Sequence, residues 1–195
     1  MYYYPRDFTK AFHHAMLYEV GSHWNPNDPD VIQGRVETEL QRRKVGYVNI
    51  RADRGGETKY GVAQNANPDI NVVDLDLAAA MAVYYDKYWV PSGCDQLDRT
   101  ITIIHFDGAV NHGPTRAIRF LQEALGATVD GVLGPETLGL LRVANGLSVI
   151  NNIADLREAF YRRIVERDPS QTIFLNGWMR RISEVREYSL QSLWG

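Results

Sequence analysis

A mainly α fold with one small β-hairpin is what this chain predicts, on three observations. Apolar residues return at helical spacing through most of its length, most plainly at Phe8, Phe12, Ala15, Met16 and Val20. Glycine and proline punctuate the ends of these stretches. Only Tyr47 to Val62 mixes β-branched and aromatic residues around a Gly55-Gly56 pair, as a short irregular hairpin requires.

Asp7 is a capable cap for a first helix that carries Glu19 in its last turn and stops at Gly21. Residues 22–46 are polar, with prolines at 26 and 29, and read as an insertion in which Val31 to Lys44 can form a charged helix. After the hairpin, Asp74 and Asp76 offer caps for a helix from Leu77 to Trp89, ended by Pro91-Ser92-Gly93. Ile101 to Val110 alternates too little for a strand and reads as a buried helix closed by Asn111-His112-Gly113-Pro114. A helix over about 115–125 follows, then a turn at Val129 to Gly134 feeding a helix that begins at Pro135. Ile150 to Glu166 is long and amphipathic, and Asn176 can cap a last helix running to about Tyr188.

The 195 residues, 45% hydrophobic and 23% charged, suffice for a core organised as one domain or two small ones. That composition excludes a disordered chain and a collagen-like fibre. The longest apolar run, Leu77 to Tyr85, is far short of the roughly 20 residues of a membrane-spanning helix, so a soluble protein with no membrane insertion is expected. A formal charge of −3 argues against nucleic acid as the partner, although seven arginines against five acids from Arg157 onward make the C-terminal part mildly positive. No signal-peptide pattern opens the sequence. Cys94 is the single cysteine, which excludes an internal disulfide and a multi-thiolate zinc site.

Two clusters carry possible chemistry. Glu19 at the C-terminal end of a helix faces the negative pole of the macrodipole, which disfavours ionisation and is expected to raise its pKa toward that of a general acid. A glutamate ending a helix is also an ordinary surface residue. Asp53-Arg54-Gly55-Gly56-Glu57-Thr58-Lys59-Tyr60-Gly61 has glycines that can bring Asp53 and Thr58 together. A carboxylate and a hydroxyl can hold a water for attack at an anomeric carbon, opposite a protonated acid. The alternative is a plain turn whose polar side chains bond their own backbone.

Taken in order, these segments resemble glycoside hydrolase family 108, the lysozyme-like N-acetylmuramidases found in phage endolysins. The resemblance rests on Tyr18-Glu19-Val20-Gly21, Gly46-Tyr47-Val48-Asn49 and the segment Asp53 to Val62. It continues through Tyr88-Trp89, Cys94-Asp95, Phe106 to Pro114 and Ala117-Ile118, then enters Asp130 to Thr137, which is similar to the peptidoglycan-binding segment that follows this catalytic region. Val20 stands where the family usually has glycine, and Glu19 and Asp53 are 34 positions apart where the family has a short gap. The family relation implies a lysozyme-like helical fold, with a catalytic region over 1–113 interrupted by the 22–46 insertion. A helical peptidoglycan-binding-like region over 114–195 would pack into the same globule.

It further implies hydrolysis of the β-1,4 bond between N-acetylmuramic acid and N-acetylglucosamine, with Glu19 as proton donor. Asp53 would activate water or stabilise the sugar cation, and Thr58 would position the water or the Asp. From the residues themselves, Tyr60, Asn111 and His112 are candidates for sugar contact, by stacking and by hydrogen bonds to the N-acetyl group; the alternatives are a core position for Tyr60, a helix end for Asn111 and a cap of the next helix for His112. The expected partner is the peptidoglycan glycan strand, met by a monomer without cofactor or metal. The protein would be made in a host cytoplasm and reach the wall by holin-like release, a virion or a secretion machine. A lytic transglycosylase, which needs only the Glu, and a non-catalytic wall-binding or phage structural protein are the competing readings.

The remaining reactive residues read as structural. Asp107 in an apolar helix needs buried partners, and Asp130 can satisfy backbone donors of its own turn. Cys94 lacks a catalytic partner. His13, His14, His23, His105 and His112 do not compose a metal set. Arg162-Arg163 and Arg180-Arg181 fall on amphipathic helices, where a solvated face is expected.

Overall fold

The computed structural model describes residues 4–49 and 56–192. Within them the fold is mainly α and lysozyme-like, with one two-stranded antiparallel sheet. Helix α1 spans Arg6–Glu19 and so ends on the predicted acid. The chain divides into two compact units, one formed by residues 12–86 and the other by the residues up to Ala11 together with those from Lys87 onward.

In the 12–86 unit, the stretch predicted as one charged helix is two: α2 (Pro29–Gln33) and α3 (Glu39–Lys44). Gly34 separates them, ending α2 in a left-handed conformation at φ 66°. Its bare backbone packs against the Leu75 carbonyl and the Lys59 ammonium, leaving no room for a side chain. Each helix has its own start. Asp28 accepts from Asp30 N at 2.9 Å, and Thr38 with Gln41 forms a reciprocal capping box. The 22–46 excursion closes on itself: a methyl group placed on Gly46 would lie 3.2 Å from the Glu19 carbonyl and 3.3 Å from Val20 Cα.

Strands β1 (Thr58–Lys59) and β2 (Val62–Ala63) pair antiparallel with Thr58 opposite Ala63, and Val48 bridges to the outer side of Thr58. The tight turn of this hairpin is Tyr60-Gly61, both at positive φ (52° and 73°), rather than the Gly55-Gly56 pair, of which Gly55 lies outside the described residues. Helix α4 (Leu77–Tyr84) starts at Asp76, which accepts from Ala79 N at 2.7 Å, and runs into a π turn over Tyr85–Trp89. Phe12, Trp24, Tyr60 and Tyr84 form the aromatic centre of this unit, with Phe12 edge-on to Tyr84 at 5.2 Å.

The other unit holds α5 (Arg99–His112), α6 (Pro114–Leu125), α7 (Pro135–Val143), α8 (Gly146–Arg167) and α9 (Thr172–Gln191). Its core joins Ile101 and Ile104, Leu121, Ile150 and Ile153, and Ile182 and Val185 from four of these helices. In the same unit Phe8 packs edge-on to Trp89 and Phe106. The boundary drawn at 113/114 falls between α5 and α6, two helices of this same unit. Asn176 lies inside α9, which begins at Thr172 after a 3₁₀ turn. Asp7 lies in the first turn of α1, where it pairs with Arg99 at 3.3 Å.

Buried charge locks the second unit together. Asp107 of α5 accepts from Arg157 of α8 at 2.6 Å and from Arg181 of α9 at 2.9 Å. The two guanidinium groups offset burial and hold the Asp107 carboxyl down to about 2. Arg181 is thus turned inward rather than placed on the solvated face its helix predicted. The Asp130 turn is tied equally firmly: its carboxylate accepts from Val132 N at 2.8 Å and from Gln122 Nε2 at 2.7 Å, while Gln122 Oε1 takes Gly131 N. That is the turn-and-cap role the sequence suggested.

Candidate active site

The site is built where α1 ends on the hairpin of the 12–86 unit. Glu19 is the last residue of α1 and half-buried. Gly61, at the second turn position, faces it: a methyl group there would lie 3.0 Å from Glu19 Oε2 and would strike the Tyr84 hydroxyl. The positive φ and the close approach demand glycine independently. Tyr84 Oη donates to the Tyr60 carbonyl at 2.9 Å, so its hydroxyl is fixed beside the acid. Tyr60 N donates to Val45 O at 2.8 Å, which pins the end of the 22–46 excursion to the same turn.

Thr58 sits one residue before the buried Lys59, and strand alternation places the two on opposite faces. Lys59 points inward and donates from Nζ to Val73 O at 2.6 Å. Burial lowers its pKa, and the nearby charges of Asp74, Asp76 and Glu37 oppose that shift. Thr58 is half-buried, its backbone paired on both sides, with Val48 and within the hairpin. Glu57, next to it, accepts from Tyr47 Oη at 3.0 Å and from Asn49 Nδ2, joining the returning segment to the hairpin.

Glu19, Thr58 and Tyr60 thus fall in one unit, but Tyr60 does not serve as a sugar platform. It is fully buried, with its hydroxyl donated to Val31 O, and burial raises its pKa. Its ring has no exposed face, because the αL turn directs it into the core. Asp53 lies outside the described residues. Asn111 and His112 belong to the other unit, at the end of α5. Asn111 Nδ2 donates back to Asp107 O at 2.8 Å, a helix-ending bond rather than an amide left open for an N-acetyl group. His112 is wrapped by Phe120, Phe160 and Tyr161, and burial, reinforced by Arg157, pushes its pKa down to about 3.

Sequence patterning missed Tyr84. Its only signal was a tyrosine interrupting an alanine-rich helix, and the proximity to Glu19 comes from a contact across more than 60 positions. Cys94 is buried, accepts or donates a bond with Ser92 Oγ at 3.1 Å, and has its thiol pushed up to about 12 by burial, consistent with an inert side chain. Among the described residues no group of three His, Cys, Asp or Glu is placed to hold a metal ion.

Residues 38–113 match the family described as glycosyl hydrolase 108, and residues 116–183 match one described as a predicted peptidoglycan domain. The solved structure of Brucella abortus SagA is similar at 26% identity and a TM-score of 0.70, over 94% of this chain and 94% of that one. No curated protein matches the chain.

Proposed function

We propose that this chain is an N-acetylmuramidase with Glu19 as its general acid, on the premise that a glycosyl hydrolase 108 region followed by a peptidoglycan-domain region makes a peptidoglycan hydrolase. The observation that carries the assignment of the acid is the seating of Glu19 against Gly61 and the Tyr84 hydroxyl, on the hairpin that bears Thr58. The family match begins at residue 38, past Glu19, so geometry and the segment order support this residue rather than the match itself.

In the proposed reaction Glu19 protonates the glycosidic oxygen as the bond from the anomeric carbon of N-acetylmuramic acid breaks. Water adds at that carbon, delivering one proton to a base. Asp53 serves as that base or as the countercharge to the sugar cation, and Thr58 orients the water. Inversion corresponds to carboxyls about 6.5–9.5 Å apart and retention to about 5–5.5 Å. An endolysin-like role, with wall lysis once the protein reaches the peptidoglycan, is part of the proposal. No helix of the described residues is long and apolar enough to cross a membrane.

Muropeptide analysis by mass spectrometry tests the reading. Wild type should leave reducing N-acetylmuramic acid ends, and Glu19→Gln should leave none while melting near the wild-type temperature. Ends uniformly lighter by one water would identify a lytic transglycosylase. Undiminished lysis by Glu19→Gln would remove Glu19 from the mechanism, and wall binding without any cleavage by wild type would favour a binding protein.

A further inference from the structure

At the junction of α5 and α6 an open cavity of about 360 Å³ is lined by His112, Gly113, Pro114, Thr115, Arg116 and Arg119. No acid lines it. Arg116 and Arg119 are three apart and share one face of α6. Among the described residues neither pairs with a carboxylate. Arg116 is instead held over the Phe160 ring at 5.2 Å, and Phe160 in turn packs on His112. Arg119 Nε and His112 Nε2 are both buried nitrogens without a hydrogen-bond partner among the described residues. The acid whose field reaches Arg119, Asp130, is already bound by Gln122 and Val132. Gly131 lets that turn come close, since a methyl group there would lie 3.1 Å from Arg119 Nε.

Behind His112 the charge is again positive, because Asp107 meets two arginines, Arg157 and Arg181. A cationic cleft whose arginines lack a carboxylate partner, one of them held against an aromatic ring, is favourable around an oxyanion. Arginine pairs match a carboxylate by geometry as well as charge. The cavity is near the small end of ligand sites, which suits the end of a peptide rather than a run of sugars. The sugars of the glycan backbone offer few charges, whereas its stem peptides carry carboxylates.

We propose that this cavity binds a carboxylate of a peptidoglycan stem peptide, with Arg116 and Arg119 as charge partners. The proposal rests on the peptidoglycan reading above but uses none of Glu19, Asp53 or Thr58. Its test is isothermal titration of the full-length Glu19→Gln protein with a disaccharide tetrapeptide and with the same compound converted to carboxamides. The carboxylate form should bind at least about tenfold more tightly. Arg116→Gln with Arg119→Gln should remove that advantage. The single variant Arg116→Gln, at an exposed position, should lose part of it even where the pair perturbs folding.

Equal affinity for the two forms would overturn the site, as would an unchanged preference in the paired variant. Tighter binding of polyglycerol phosphate than of the tetrapeptide would overturn it too, by assigning the cavity to a wall phosphate. Wall clearing by wild type, measured alongside, separates the two readings. Clearing with equal affinities sinks the carboxylate site alone, whereas no clearing and no binding of either muropeptide sinks the peptidoglycan reading with it.

Discussion

At Gly61 backbone conformation and site geometry make the same demand. Gly61→Ala would hold a side-chain-bearing residue at φ 73° and drive its methyl into Tyr84 and Glu19. The left-handed backbone alone costs about 1 kcal/mol or more, and relief of the clash displaces the acid. The variant should lose wall lysis by more than about a hundredfold, while thermal melting shows a folded protein of reduced stability. Tyr84→Phe is gentler. It removes one buried hydrogen bond, worth about 1 kcal/mol, and should lower kcat with little effect on KM if the hydroxyl steadies Glu19. Thr58→Ala should reduce turnover less than Glu19→Gln, and Asp53→Asn reports whether the long excursion has left that carboxylate in use. The place of Glu19 at the end of α1 was legible in the sequence because a helix end is a local property. Between platform and core the sequence leaves Tyr60 open, because nothing local reveals that its turn takes a positive φ and points the ring inward.

The elements show the same division between local and remote. Nearly every helix was anticipated from spacing and caps, since period, proline and capping residues act within a few positions. Gly34 splits the predicted 31–44 helix for a tertiary reason, its contact with the Leu75 carbonyl and Lys59. The partners of Asp107 were likewise out of reach, 50 and 74 positions away. That a buried carboxylate in α5 required partners was readable; which arginines would supply them was not. Asp107→Asn leaves two guanidinium groups short of a countercharge and should destabilise the helical unit by about 3–5 kcal/mol in chemical denaturation. Its native carboxyl is held near 2, so its contribution is complete above the unfolded value near 4 and fades as pH falls from there toward 2.

For the whole molecule, acid should weaken the fold well before Asp107 titrates. His105 is fully buried with Nε2 against Ser92 O, and burial pushes its pKa down to about 4, as it pushes His112 to about 3. Both stay neutral when folded and take up a proton when unfolded, so the unfolded chain binds more protons between these values and about 6.5. Stability is therefore full above pH 6.5 and declines below it, by about 1.4 kcal/mol per pH unit for each histidine. Urea midpoints measured from pH 7.5 to 4.5 should fall steadily, and His105→Gln should flatten the decline. A midpoint independent of pH would contradict the burial of both rings.

The partition of the chain also sets an order in time. Phe8 belongs with Trp89 and Phe106, so the first turns of α1 are synthesised long before their neighbours exist. At ribosomal speeds of about 5–20 residues per second, that wait is on the order of 4–15 s. Residues 12–86 have all their own internal neighbours by then and can organise first. A nascent chain stalled near residue 86 would therefore carry a structured middle and an apolar leading end still open to chaperones.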